Sequence, residues 1–363
     1  MGSDQDNRPA VISPTWWILA VVFVAIVVGI VAMALVDRSG ERGKPLGERF
    51  EYQIGQYRKI DPALIRWQQK AVFDIRLRQG RAIAVGPEDR VYVAGPQAVY
   101  VLEPDGKLKS QIALDSAPNC LAVGGVGHAA AGRIYVGLKD RVELWNPDGT
   151  PAGAWESLGP KAVLTSIALG RKDVCVADAG SQMVYRFDTS GKQLGRIGER
   201  DQEHNTGGFA VPSPFFDVAV SPGGTVYVVN PGALRIQCYT ADGKLQLFWG
   251  KSSAEIDGFF GCCNPAHMAL LPDGRIVTAE KGLLRVKVYS AEGTLDSVVA
   301  GPELLDSPAA DVASQSLTDR EYTAVDVAAD SRGRILVLDR ATGSVRVFEE
   351  KPGSKETGNA PAR

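Results

Sequence analysis

A four-strand pattern recurs along this chain, and its recurrence restricts the fold more than any other feature. Its clearest copy spans residues 264–293, NPAHMALLPDGRIVTAEKGLLRVKVYSAEG. Met268–Leu271 is apolar, and Pro272-Asp273-Gly274 reads as a hairpin turn, because glycine tolerates the positive φ such turns demand. Arg275–Thr278 is a second strand, and Glu280-Lys281-Gly282 turns the chain again. Leu284–Tyr289 alternates apolar and polar residues, as a half-buried strand does. A last turn, Ala291-Glu292-Gly293, leads into a fourth run, Thr294–Val299. One such meander cannot bury both of its faces and needs neighbours of the same kind.

The second strand recurs at Arg90–Val93, Arg133–Val136, Asp173–Val176, Thr225–Val228, Arg275–Thr278 and Arg334–Val337. The turn after the third strand recurs at Pro104-Asp105-Gly106, Pro147-Asp148-Gly149, Thr189-Ser190-Gly191, Ala241-Asp242-Gly243 and Ala291-Glu292-Gly293. Lys351-Pro352-Gly353 is a degenerate sixth. The turn glycines lie about 42 to 60 residues apart, roughly the period of β-propeller blades. Six copies predict an all-β, six-bladed propeller of four-stranded antiparallel blades over residues 61–350. Asp61-Pro62 is expected to start a short helix through Gln69. Lys70–Leu77 alternates as a strand. The last repeat, Val325–Phe348, has only three strands of its own, so Lys70–Leu77 is expected to complete it and close the ring. Closure removes exposed sheet edges.

Before the repeats stands Trp16–Val36, 21 apolar residues without a charge. As a helix this run is long enough for about 30 Å of hydrocarbon, and Trp16-Trp17 suit a headgroup interface. Residues 14–36 are therefore expected to form a single-pass transmembrane helix, with a disordered 1–13 before it and a linker, 37–60, after it. A cleaved signal peptide is the alternative, because Ala32-Met33-Ala34 resembles a small-x-small cleavage site. Arg38, Arg42, Lys44 and Arg49 follow the span, which by the positive-inside rule would place the propeller in the cytoplasm. Long soluble domains translocate largely regardless of charge, and an anchored propeller is a common periplasmic or cell-surface layout, so the extracytoplasmic side is favoured. The tail, 351–363, is expected to be disordered. With 40 basic against 42 acidic residues, the chain has no nucleic-acid footprint.

Segments such as VAVSPGGTVYVVNPGALRIQCYTADGKLQLFWG, Val218–Gly250, resemble NHL-repeat propellers. Their pattern is an apolar strand, a D/G turn, V-Y-V-x-D/N, R-I-x-x-F/Y, D-x-G and F-G. The resemblance covers Arg81 to Phe348 and implies the six-bladed architecture. The superfold hosts protein-binding modules, sensor domains, an RNA-binding module and metal-dependent lyases and lactonases.

Residues that open the innermost strands rim one mouth of a propeller's channel. That column reads Ala82, Cys120, Ser166, Asp217, His267, Asp326. Asp217, His267 and Asp326 come from adjacent blades and supply oxygen and nitrogen donors suited to one divalent cation, zinc or calcium. His267 resembles the zinc-binding histidine of the peptide-amidating lyase propeller, whose other histidines have no counterpart here. The structural alternative is that both aspartates bond turn backbones and His267 is a polar rim residue. A second column reads Ala94, Gly137, Asp178, Asn230, Glu280, Asp339. It is similar to the metal set of regucalcin-like lactonases, but in NHL repeats an Asp or Asn here satisfies the backbone of the following turn.

Five cysteines are present. Cys175 and Cys238 fit strand interiors. Cys262-Cys263 precede Asn264 in the loop leading to the fifth blade, and a disulfide from one of them to Cys120 is conceivable from strand position but not readable from sequence. Cys120, Ser166, Cys262, Cys263 and Asn264 are assigned to a ligand-binding rim beside the channel mouth. Of the remaining histidines, His128 lies in a Gly/Ala-rich insertion and His204 in a polar loop. No G-x-S-x-G, phosphate-cradling loop or H-E-x-x-H is present.

These readings converge on a membrane-tethered, non-enzymatic binding or scaffold module whose partner is a protein of the same membrane or envelope. The alternatives are a metal-dependent hydrolase or lyase at the channel, and an accessory subunit of an envelope electron-transfer complex using the paired cysteines.

Overall fold

The computed structural model describes residues 14–35, 55–77, 79–200, 207–305, 324–340 and 342–353. It divides into two units, each considered by itself: 1–53 and 54–363. The tails 1–13 and 354–363, and most of the expected linker, lie outside the described residues. The first unit holds helix α1, Pro14–Leu35, 22 residues with no charged side chain. Side chains are described for residues 16–31 of it, and nearly all of these are exposed. Among the described residues, no helix is long and apolar enough to cross a membrane.

The second unit is six four-stranded antiparallel sheets. Blade 1 is β2–β5 (Ala82–Val85, Val91–Ala94, Ala98–Leu102, Leu108–Ala113). Blade 2 is β6–β9 (Cys120–Val123, Ile134–Gly137, Val142–Trp145, Pro151–Ala154). Blade 3 is β10–β13 (Leu164–Leu169, Asp173–Asp178, Met183–Asp188, Gln193–Ile197). Blade 4 is β14–β17 (Val218–Val220, Val226–Asn230, Arg235–Tyr239, Leu245–Trp249). Blade 5 is β18–β21 (His267–Leu270, Ile276–Ala279, Val286–Tyr289, Leu295–Ala300). Blade 6 takes β22–β24 (Asp326–Ala329, Ile335–Asp339, Ser344–Glu350) from the end of the chain and β1, Trp67–Asp74, from its start.

That closure is the expected one, with a shifted boundary. β1 pairs antiparallel with β24 from Trp67↔Glu350 to Asp74↔Ser344. The expected helix through Gln69 is instead one short 3-10 turn, Pro62–Leu64, capped by the Asp61 carboxylate on the Ala63 amide at 2.9 Å. Tertiary contact ends it early. Trp67 is buried, and its indole N–H donates to Ser297 Oγ of blade 5 at 3.1 Å. Burying an indole outweighs the weak local preference for another helical turn.

The inner strands β2, β6, β10, β14, β18 and β22 neighbour one another in that order, and β22 returns to β2. Six large apolar clusters follow, one at each blade-to-blade interface. Between blades 5 and 6, for example, Val277, Val286 and Val288 pack with Val327, Ile335 and Val337. Between blades 3 and 4, Cys175, Ala177 and Val184 pack with Phe216, Val226 and Val228. Each blade thus buries on its neighbours the faces it cannot bury alone, as the repeat requires.

The turn glycines do more than turn. Gly106, Gly191 and Gly293 have φ of 88°, 94° and 90°; each donates to the carbonyl of the residue three back, whose own amide donates to the carbonyl of the residue after the glycine, the signature of a turn with a G1 bulge. Each also lies against an aromatic ring from the preceding blade. A Cβ there would sit 2.2 Å from Phe73, 2.5 Å from Trp155 and 2.2 Å from Trp249, respectively. Turn chemistry and blade packing therefore demand the same residue.

Candidate functional site

The inner strands bring their opening residues to the channel mouth. Asp217, His267 and Asp326 come together, as their column predicts. His267 Nδ1 lies 3.4 Å from Asp326 Oδ1 and 3.7 Å from Asp217 Oδ2. Both carboxylates are nevertheless turned into backbone. Asp217 accepts from its own strand at Val218 N (2.8 Å) and from the next blade at Met268 N (2.7 Å). Asp326 does the same at Val327 N (2.8 Å) and Ile83 N (2.9 Å). Each aspartate thus clips amides at the start of two adjacent inner strands, and buried amides need such acceptors. Ser166 performs a smaller version, its Oγ accepting from Val218 N at 3.3 Å.

Burial, foremost, pushes the Asp326 carboxyl above its ordinary range, with nearby Asp217 adding to the rise while His267 and Arg340 oppose it. The Cys120 thiol is pushed up by burial and by the charges of Asp217 and Asp326. A shared cation would need three donors free to converge on one point. Among the described residues no group of three or more His, Cys, Asp or Glu is placed to hold a metal ion, and each oxygen of Asp217 and Asp326 already accepts one backbone amide.

Two cavities that share Arg81, Asn119, Thr165 and His267 in their linings lie at the axis. The inner one, about 90 Å³, is lined by Cys120, Ser166, Asp217, His267 and Asp326 among others. The outer one, about 260 Å³, is lined by Arg81, Asn119, Thr165, Phe215, His267 and Arg340, with an apolar wall of Val163, Leu164 and Pro214. Arg81 Nη1 donates to Asn119 Oδ1 at 3.3 Å. Arg340 Nη2 donates to the Arg81 carbonyl at 2.5 Å and lies 3.4 Å from His267 Nε2. The Phe215 ring meets His267 edge-on at 6.0 Å, and Lys281 Nζ stands 4.3 Å over its centroid. An acidic floor therefore lies beneath a basic, partly aromatic mouth.

Sequence columns missed Arg81, Arg340 and Phe215. Arg81 stands one residue before the first column and Arg340 one residue after the second, so widening each column by one position would have exposed both arginines. Phe215 lies two residues before Asp217, in a loop where strand alternation provides no guide.

The other assigned rim residues divide. Cys120 and Ser166 line the inner cavity. Cys262, Cys263 and Asn264 line neither axial level. Asn264 is buried, donating to Lys281 O (3.0 Å) and Phe260 O and accepting from Lys281 N (2.9 Å). Among the described residues all five cysteines are free, with Cys262 exposed and Cys263 buried. Their sulfurs are 3.5 Å apart, well beyond a disulfide bond. His128 is buried between Gly170 O (2.7 Å) and the Tyr135 hydroxyl (3.0 Å), a packing role. His204 lies outside the described residues.

The second column performs the expected task at Asp178 and Asp339 and adds another. Its side chains chiefly hold the segment arriving at each blade. Asp178 accepts from Val163 N at 2.7 Å, Asn230 from Ala210 N at 2.9 Å and Glu280 from Phe260 N at 3.1 Å. Asp178 also caps the following turn at Gly180 N, and Asp339 does so at Thr342 N.

No family model matches this chain, and no curated protein is significantly similar to it.

Proposed function

We propose that this protein is a membrane-tethered binding module, with the propeller as rigid scaffold and the basic mouth as its recognition face. The observation that carries the reading is the outer axial cavity, where Arg81, Phe215, His267 and Arg340 converge from blades 1, 4, 5 and 6. A polar, partly aromatic concavity on a closed ring is suited to recognition. The tether is read from the sequence run of α1, whose 22 uncharged residues would extend about 33 Å at about 1.5 Å per residue, although the 16 positions with described side chains are by themselves too short a span to cross. Its exposed Trp16, Trp17, Phe23 and Ile30 have an apolar environment only in lipid or against a partner. The propeller then faces the extracytoplasmic side, and the partner is a protein of the same membrane or envelope.

Two experiments test the reading. Full-length protein is extracted from membranes with detergent, and co-purifying proteins are compared between wild type and Arg81→Glu. A partner lost with the variant, in a protein of unchanged stability, supports it; an unchanged set of partners refutes the mouth as recognition face. Release of the full chain by carbonate washing would refute the tether. For orientation, the exposed Cys262 thiol should react with a membrane-impermeant maleimide in intact cells, whereas labelling only after lysis would reverse the topology.

A further inference from the structure

Resting on the reading of the mouth as a binding face, we infer that the outer cavity takes a small monocarboxylate with an apolar body. The carboxylate lies between the guanidinium groups of Arg81 and Arg340, and the body lies against Val163, Leu164, Pro214 and Phe215.

The charge argument comes from what Arg81 lacks. Among the described residues its guanidinium has one hydrogen bond, to the neutral Asn119, and its buried Nε has no partner. No ion pair among the described residues includes Arg81, whereas Arg275 meets three acidic groups and Arg346 meets Asp339. A guanidinium has five donors in a planar fork, and leaving a buried one unmade is costly. Arg81 lines both cavity levels, so a ligand oxygen in the outer level can take up those donors. Arg340 is tied to blade 1 through the Arg81 backbone carbonyl, which fixes its fork across the seam between the first and last blades, in the same cavity that Arg81 lines.

Depth is set by the floor. Asp217 and Asp326 oppose a second anion in the inner level, and at about 90 Å³ that level is also small. The anion is therefore held at the height of the arginines. His267 Nδ1 faces the two aspartates, leaving Nε2 on the side of Arg340 and the outer level. The outer volume, about 260 Å³, admits a group of benzoate size or a short branched acid. The apolar wall on one side only favours a ligand charged at one end. Arginine forks match a planar carboxylate in bidentate fashion.

The test is calorimetric titration of the full-length protein in detergent with benzoate, benzamide and inorganic phosphate. Benzoate is expected to bind saturably, with benzamide and phosphate each at least tenfold weaker, because one lacks the charge and the other the apolar body. Arg81→Met and Arg340→Met should each weaken benzoate at least tenfold, and Arg81→Lys should recover only part of the loss. Should Arg81→Met fold poorly, Arg81→Gln, which keeps a polar side chain but removes the charge, should likewise weaken benzoate at least tenfold. Equal binding of benzoate and benzamide, or phosphate as tight as benzoate, would overturn the inference. So would benzoate binding unmoved by Arg81→Met in folded protein. If benzoate fails to bind while Arg81→Glu still abolishes partner capture, this inference falls and the binding-face reading stands. If benzoate binds as described but no partner depends on Arg81, the protein-partner reading falls instead.

Discussion

Glu280 is where a single change should be felt most. Its carboxylate is fully buried and meets two buried cations, Arg285 Nη2 at 2.8 Å and Lys287 Nζ at 2.7 Å. It also accepts Phe260 N at 3.1 Å. The cations in turn hold the loop before blade 5, Arg285 at Ala254 O and Lys287 at Ile256 O and Gly258 O. The Lys287 ammonium lies 4.7 Å over the Phe259 ring. Glu280→Gln keeps the shape and removes the charge, leaving two buried cations uncompensated. Removing one partner of a buried pair costs about 3–5 kcal/mol. For a propeller of roughly 300 residues the unfolding entropy is about 0.6 kcal/mol/K, so Tm should fall by about 5–8 °C. Differential scanning calorimetry measures that fall. The loosened loop should also raise the reactivity of the buried Cys263 thiol in native protein. Replacing all three members by apolar residues of similar volume (Glu280→Leu, Arg285→Met, Lys287→Met) should restore most of the stability, because desolvation of the charges is no longer required. A Glu280→Gln protein melting within about 1 °C of wild type, a change of about 0.6 kcal/mol or less, with Cys263 still protected, would refute the network as the clamp.

Other consequences can be measured as directly. Gly293→Ala forces a Cβ to 2.2 Å from Trp249 at a φ of 90°, so it should destabilise by about 2–4 kcal/mol in urea unfolding, from strain plus overpacking; a loss under about 0.5 kcal/mol would show that Trp249 moves aside freely. Burial pushes the Cys175 and Cys238 thiols up to about 12 and raises Cys120 as well, whereas an unfolded cysteine titrates near about 8.5. Above that pH the unfolded chain sheds protons the folded chain keeps, so stability present at neutral pH is lost by about 1.4 kcal/mol per pH unit for each cysteine. Lys287, pulled down to about 8 chiefly by burial, opposes this between about 8 and 10.4, where the unfolded chain holds the extra proton. Three thiols outweigh one amine, so the urea midpoint should fall from pH 9 to 10; Cys175→Ala should flatten the slope and Lys287→Met should steepen it, and the reverse ordering would contradict these burial effects. Thiol titration of native protein should label Cys262 rapidly and the buried four only on denaturation, while two fast equivalents would place Cys263 at the surface.

The local pattern in the chain was enough to determine the architecture. Strand alternation, turn glycines and a repeat that cannot bury its own faces are short-range properties, and six copies with an incomplete last one leave little choice but a ring closed by the strand before blade 1. The first column was also legible as a meeting of Asp217, His267 and Asp326, since residues at equivalent positions in a ring must share its axis. What those side chains do was decided by the tertiary structure. Whether a carboxylate points at an ion or at a neighbour's amide depends on the offset between adjacent blades, and here Asp326 reaches Ile83 across 243 positions of chain. Trp67 begins a strand rather than continuing a helix because Ser297 and β24 are beside it. Arg81 and Arg340 become one mouth only because the seam joins chain ends 259 residues apart. Periodicity specifies which elements stack; side-chain direction, and with it the chemistry of the axis, comes from the packing between them.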